Sequence, residues 1–216
     1  FRGRGRDSVF GVVTDENRDQ IQIHVPNPYQ PPKRYVFPQI ERIMKIDGGG
    51  GAPKIEPTYD TVRRAIFGIR SCDVAGIWHL DRFFMGGEYR DTYYERHRKG
   101  LFLVNVVCTD PTLDIDSSCF CLCADTGPAA RGHFDLQLMD LGGDEFMVVA
   151  GTPEGEALFS EPIFKKGTEE HLLRRQRILT EVRKGFKEET TSWFSATVRY
   201  ISQGQILEKT WEEIGV

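Results

Sequence analysis

No apolar run in the 216-residue chain approaches the roughly 20 residues that a membrane-crossing helix needs, so no segment reads as a span. Nor is there an excess of one charge. The 28 Lys and Arg stand against 32 Asp and Glu, a net of −4, which leaves no global field for a phosphate backbone and argues against a nucleic-acid partner. No internal repeat is evident, and neither visible end shows the charged-then-apolar pattern of a secretion signal. The chain begins at Phe1 without an initiator Met, so both ends are taken as provisional. Cysteine is scarce and odd in number: five residues leave one outside any disulfide scheme, and a secreted disulfide framework fits poorly. What is present is ordinary for a folded domain, with 39% hydrophobic and 28% charged residues, which excludes disordered and collagenous classes.

The cysteines are grouped in the middle third, at Cys72, Cys108, Cys119, Cys121 and Cys123. Cys119 and Cys121 are too near in sequence to pair easily with each other, yet two thiolates at that spacing can point to one side of an extended segment. Such a pair suits a soft metal. Iron–sulfur clusters and zinc are the candidates, and both belong in reducing surroundings, so a cytoplasmic protein is expected.

Patterning along the chain predicts an α/β fold: a mixed sheet with flanking helices, a Cys-rich loop at the sheet edge and a helical C-terminal segment. The start, Phe1 to Arg6, alternates Arg and Gly and reads as a loose terminus rather than an RNA contact, followed by a β-prone run at Val9–Val13. Residues Ile21–Val25 alternate like a strand before a proline-rich stretch, 26–32, that cannot continue a ladder. Four glycines at Gly48–Gly51 read as a flexible joint, with no Lys-Ser/Thr after them to suggest a phosphate loop.

Arg64–Ile69 reads as a buried strand. Asp73 can then cap a helix carrying Val74, Ile77, Trp78, Leu80, Phe83 and Phe84 at helical spacing, aromatic positions more often buried than used as a partner platform. Asp91–Lys99 reads as a short polar helix, and Leu101–Val107 as a second buried strand that delivers Cys108 at its end. If the two strands are parallel neighbours, Cys72 and Cys108 emerge at the same carboxyl edge, where open α/β sheets place their ligands.

The connection from Thr109 to Arg131 holds the other three cysteines and is long enough to imply function. Phe134–Leu141 and Glu145–Ala150 read as strands joined by Gly142-Gly143-Asp144. Helices are expected at Thr168–Lys187 and Ser192–Glu213. The division expected is an α/β domain over 1–166 and a helical segment over 167–216.

The motifs Gly68-Ile69-Arg70-Ser71-Cys72-Asp73, Cys108-Thr109-Asp110-Pro111, Cys119-Phe120-Cys121 and Thr126-Gly127-Pro128 together resemble one family. It is that of the iron–sulfur beta subunits of cytoplasmic sulfhydrogenases (hydrogenase/sulfur reductases), together with the corresponding iron–sulfur subunit of anaerobic sulfite reductase. The likeness runs from about Tyr35 onward and includes Leu80-Asp81-Arg82-Phe83-Phe84 and Asp91-Thr92-Tyr93-Tyr94 with Arg96 and Arg98.

The resemblance implies a [4Fe–4S] cluster held by Cys72, Cys108, Cys119 and Cys121, with Cys123 spare. It also implies a non-catalytic relay of single electrons between a flavin-containing or ferredoxin-like donor and a catalytic subunit, with a ferredoxin-like region following this chain. Two residues depart from the family pattern: Ser71 where proline is usual, and Cys123 where serine is more common.

Other assignments stay open. Zinc would also accept four thiolates, although the usual two spaced pairs are missing, and it would make the chain a non-redox scaffold. A flavin is a further alternative, because beta subunits of coenzyme F420-linked hydrogenases are distantly similar around a Gly-x-x-Cys turn. Asp73 and Asp110 could replace a thiolate, although capping is the expected role. Cys72 with His79 makes a poor nucleophile pair, and His24, His97, His133 and His171 read mostly as isolated surface residues.

Overall fold

The computed structural model describes residues 10–23, 30–109, 119, 121–122 and 124–186. Its centre is a four-stranded mixed sheet. The strands are β3 (Arg64–Ile69), β4 (Leu101–Val106), β5 (Leu136–Gly142) and β6 (Glu145–Ala150), and they lie in sequence order. β3 pairs parallel with β4, β4 pairs parallel with β5, and β5 turns back antiparallel into β6. A hairpin of β1 (Met44–Asp47) and β2 (Lys54–Pro57) precedes them, its strands exposed throughout.

The β3-to-β4 crossover is made by α1 (Ser71–Met85) and α2 (Thr92–Lys99). A parallel pair needs such a crossover, and helices supply it while covering the apolar sheet. Val74 and Ile77 of α1 and Tyr94 of α2 pack with Ile66, Ile69, Leu101 and Leu103 in the main core. Each of these large side chains contributes roughly 1.5–3 kcal/mol by leaving water. A second cluster joins Val107, Met139 and Leu141 to Leu179 of α4 (Glu169–Lys184).

Local chemistry explains the boundaries. Asp91 caps α2, accepting from the amides of Tyr93 and Tyr94 at 2.9 Å each. Asp81 pins α2 to α1, taking the Tyr94 hydroxyl at 2.6 Å and the Arg98 Nε at 3.0 Å. The β5–β6 turn holds Gly142, Gly143 and Asp144 at φ of 81°, 66° and 61°, a left-handed path that these residue types tolerate. Thr152 caps the short α3 (Pro153–Ala157), and Thr168 with His171 forms a capping box that starts α4.

The expected strands at 64–69, 101–107, 134–141 and 145–150, and the helices from 73, 91 and 168, are therefore present within a few residues. The departures have physical causes. Gly48–Gly51 is the tip of the β1–β2 hairpin, whose flanks Lys45-Ile46-Asp47 and Lys54-Ile55-Glu56 alternate too briefly to announce a strand. Neither Phe10–Val13 nor Ile21–Ile23 forms a strand; Val9, His24 and Val25 lie outside the described residues, as does the expected helix at 192–213.

Asp73 does not cap α1: the helix begins two residues earlier, with Arg70 at the N-cap. Phe83 is not core but 77% exposed, because Val74 and Ile77 already fill the inward stripe of α1. His97 is not a surface residue either. It is buried, with Nε2 2.7 Å from Glu41.

Candidate metal centre

Because β3 and β4 run parallel, their carboxyl ends emerge together. Cys72 is the second residue of α1, just after β3, and Cys108 stands two residues beyond β4. Both belong to one sheet edge. The amides at the start of a helix point toward that edge and favour negative charge near Cys72.

The chain returns to the same edge after the loop. The amide of Cys108 donates to the Pro128 carbonyl at 3.4 Å, and the Ser71 hydroxyl donates to that carbonyl at 2.7 Å. A turn closed by the Thr126 amide on the Cys121 carbonyl, at 2.8 Å, sets Cys121 against Gly127. A Cβ at Gly127 would lie 3.0 Å from the Cys121 Sγ and 3.8 Å from the Ser71 Cβ, so Gly127 is a close neighbour both of Cys121 and of the residue preceding Cys72.

The surroundings of the thiols disfavour their ionisation. Burial pushes the Cys121 thiol up to about 12, and negative charge on Cys108 and Cys119 pushes the same way, against the amides of Cys121 and Leu122. Burial also pushes Cys108 up; the Arg70 charge opposes that rise and the Asp73 charge adds to it. All four described cysteines are half-buried.

Beneath them lies a polar network that the cysteine pattern did not announce. Arg70 is 3% exposed, its guanidinium donating to the carbonyls of Ile23 at 2.7 Å and Val106 at 3.5 Å. Asn105 is fully buried and donates to the Ile69 carbonyl at 2.8 Å, while Gln137 donates to the Asn105 Oδ1 at 2.8 Å and to the Ala130 carbonyl at 2.9 Å. The available signal was a polar residue inside an apolar strand. Asn105 interrupts Leu-Phe-Leu-Val-Asn-Val-Val, and a buried amide in such a place must be satisfied by something.

Two observations bear on whether a metal or cluster suits these residues. Several thiols near one another at a half-buried edge resist ionisation alone, and a cationic metal group would offset that cost. The buried Oδ2 of Asp73, whose carboxyl is pushed up to about 6 by burial, has no hydrogen-bond partner among the described residues. The donor type therefore fits a thiolate-bound metal. Among the described residues, no three His, Cys, Asp or Glu side chains are drawn together as a metal-ligand set. Asp110 and Cys123 lie outside the described residues.

The chain is distantly similar to a sulfhydrogenase beta subunit. It is 28% identical over 183 residues to sulfhydrogenase 2 subunit beta of Pyrococcus furiosus, covering 84% of this chain and 51% of that protein. It thus spans about half the length of the curated relative it matches. No family model matches the chain, and no solved structure matches it. Among the described residues, no helix is long and apolar enough to cross a membrane.

Proposed function

We propose that this chain is an electron-transfer iron–sulfur subunit of a cytoplasmic multi-subunit oxidoreductase of the hydrogenase/sulfur or sulfite reductase type. The observation that carries the proposal is the convergence of segments: Cys72 and Cys108 follow adjacent parallel strands, and Gly127, against which Cys121 lies, is a close neighbour of Ser71. The similarity to a sulfhydrogenase beta subunit supports the redox assignment.

Cys72, Cys108, Cys119 and Cys121 would hold a [4Fe–4S] cluster, which accepts and passes single electrons. The residues around them have defined tasks. Ser71 and the Cys108 amide fix the Pro128 segment, Gly127 leaves room for the Cys121 thiol, and Arg70 places a buried positive charge against a site of negative ligands. In this reading the chain itself breaks and makes no substrate bonds. Residues 1–166 would form the cluster domain, with α4 packed on its sheet through Leu179, and the rest of 167–216 would lead toward a ferredoxin-like region. The partners are a flavin-containing or ferredoxin-like donor and a catalytic subunit.

The test is metal content of the anaerobically purified chain with EPR after dithionite reduction. About four irons and four sulfides per chain with a reduced-state signal are expected, and Cys123→Ser should retain them. One zinc and no iron would overturn the relay in favour of a non-redox scaffold.

A further inference from the structure

A second concave site lies at the opposite edge of the sheet. Segment 30–42, residues 58–60, Arg64 and His97 enclose a cleft of about 830 Å³, within the range of about 300–1,000 Å³ that small-molecule sites occupy. Arg64 opens β3 and Cys72 follows its far end, so six strand residues separate the two sites, about 20 Å at the usual rise per residue. The cleft uses no cysteine and stands independently of the iron–sulfur assignment.

Its acids are already engaged. Asp60 pairs with the Arg64 Nη2 at 2.7 Å and also accepts from the Val62 amide at 2.9 Å. Glu41 is held by the His97 Nε2 at 2.7 Å. Lys33, Arg34 and Arg42 line the same cleft, all exposed, and none makes an ion pair with a described residue. A chain of net charge −4 therefore concentrates three such cations around one hollow.

The hollow also has aromatic walls. Tyr35, Phe37 and Tyr59 line it, and two of these rings are held from outside. Phe84 stacks on Phe37 at 5.0 Å, and the Arg96 guanidinium lies 3.9 Å from the centre of the Tyr59 ring. Guanidinium forks match phosphate oxygens, and fixed rings offer π faces to a planar group. An acidic peptide would use the cations but not the rings.

We propose that this cleft binds a nucleotide, with Lys33, Arg34 and Arg42 taking the phosphates and Tyr35, Phe37 and Tyr59 packing against the base.

The test titrates the full chain with ADP, adenosine, inorganic phosphate and polyglutamate by calorimetry, at low and high NaCl. Saturable 1:1 binding of ADP is expected, weakened at least roughly tenfold in the Lys33→Glu/Arg42→Glu double variant, and weakened likewise by salt or by removal of the phosphates. Both mutated residues are exposed, so the far-UV CD and melting of that variant should match the parent. A folded parent chain that does not bind ADP would overturn the proposal, as would ADP binding indifferent to the double variant. Phosphate or polyglutamate binding as tightly as ADP would overturn it too, by identifying a plain anion surface or an acidic-protein contact.

Discussion

The hydroxyl of Ser71 donates to the carbonyl of Pro128 at 2.7 Å, tying the turn that opens α1 to the segment that follows Cys121. Ser71 is 2% exposed, and the Cys108 amide reaches that carbonyl only from a longer 3.4 Å. Deleting the hydroxyl strips a buried acceptor of its better partner. Ser71→Ala should therefore lower unfolding free energy by about 1–2 kcal/mol in urea, and should hasten iron loss from the loaded chain to a chelator. An unchanged urea midpoint would show that the tie does not hold the two segments.

Gly127 leaves little spare room beside Cys121. An alanine there would bring its Cβ to 3.0 Å from the thiol sulfur and 3.1 Å from the Cys121 Cβ, so the cysteine must shift by a few tenths of an ångström. Metal sites tolerate only small displacements of their ligands. We expect Gly127→Ala to fold with a melting temperature close to the parent but to retain clearly less iron after anaerobic reconstitution. Equal iron content in the two chains would remove Cys121 from the ligand set.

Much of the sheet was legible because its signals are local. Arg64–Ile69 and Leu101–Val106 are short apolar runs ended by Cys-bearing turns, and Thr168 followed by a charged amphipathic stretch marks a helix start. The parallel pairing of β3 and β4, and with it the shared edge of Cys72 and Cys108, followed from having helices between two buried strands. Asp73 is the better capping type by sequence, yet the strand-to-helix turn closes at Arg70, whose side chain is drawn inward to the Val106 and Ile23 carbonyls. Long-range pairings left no local trace. Nothing near His97 in sequence announces Glu41, 56 residues away, and nothing near Ser71 announces Pro128, 57 residues away.

Gly151 and Gly132 form a matched pair for testing the core around Phe134. A Cβ at Gly151 would overlap the Phe134 carbonyl oxygen and approach two ring carbons to 2.8 Å, whereas a Cβ at Gly132 would meet nothing within 4 Å. Phe134 is itself buried in the main core and cannot swing out without exposing it. Gly151→Ala should cost about 1–3 kcal/mol or more by overpacking, while Gly132→Ala should stay within about 0.5 kcal/mol of the parent. Thermal melts of the two variants side by side decide it, and similar melting temperatures would contradict the packing described.

Asp60 carries a pH dependence whose sign follows from its partners. The Val62 amide, first, and the Arg64 guanidinium, second, hold its carboxyl below the usual carboxylate range, against a smaller opposing effect of burial. A carboxylate with a lowered folded-state value binds its proton more weakly in the folded chain than in the unfolded one. Its contribution to stability is therefore complete above the ordinary Asp value of about 3.9 and fades as pH falls through the lower folded value. Carbon-detected NMR titration of the Asp60 carboxyl should find that depressed midpoint. In Arg64→Met the midpoint should rise only part of the way, because the Val62 amide at 2.9 Å remains. A full return to the ordinary value in that variant would assign the whole effect to the ion pair and none to the amide.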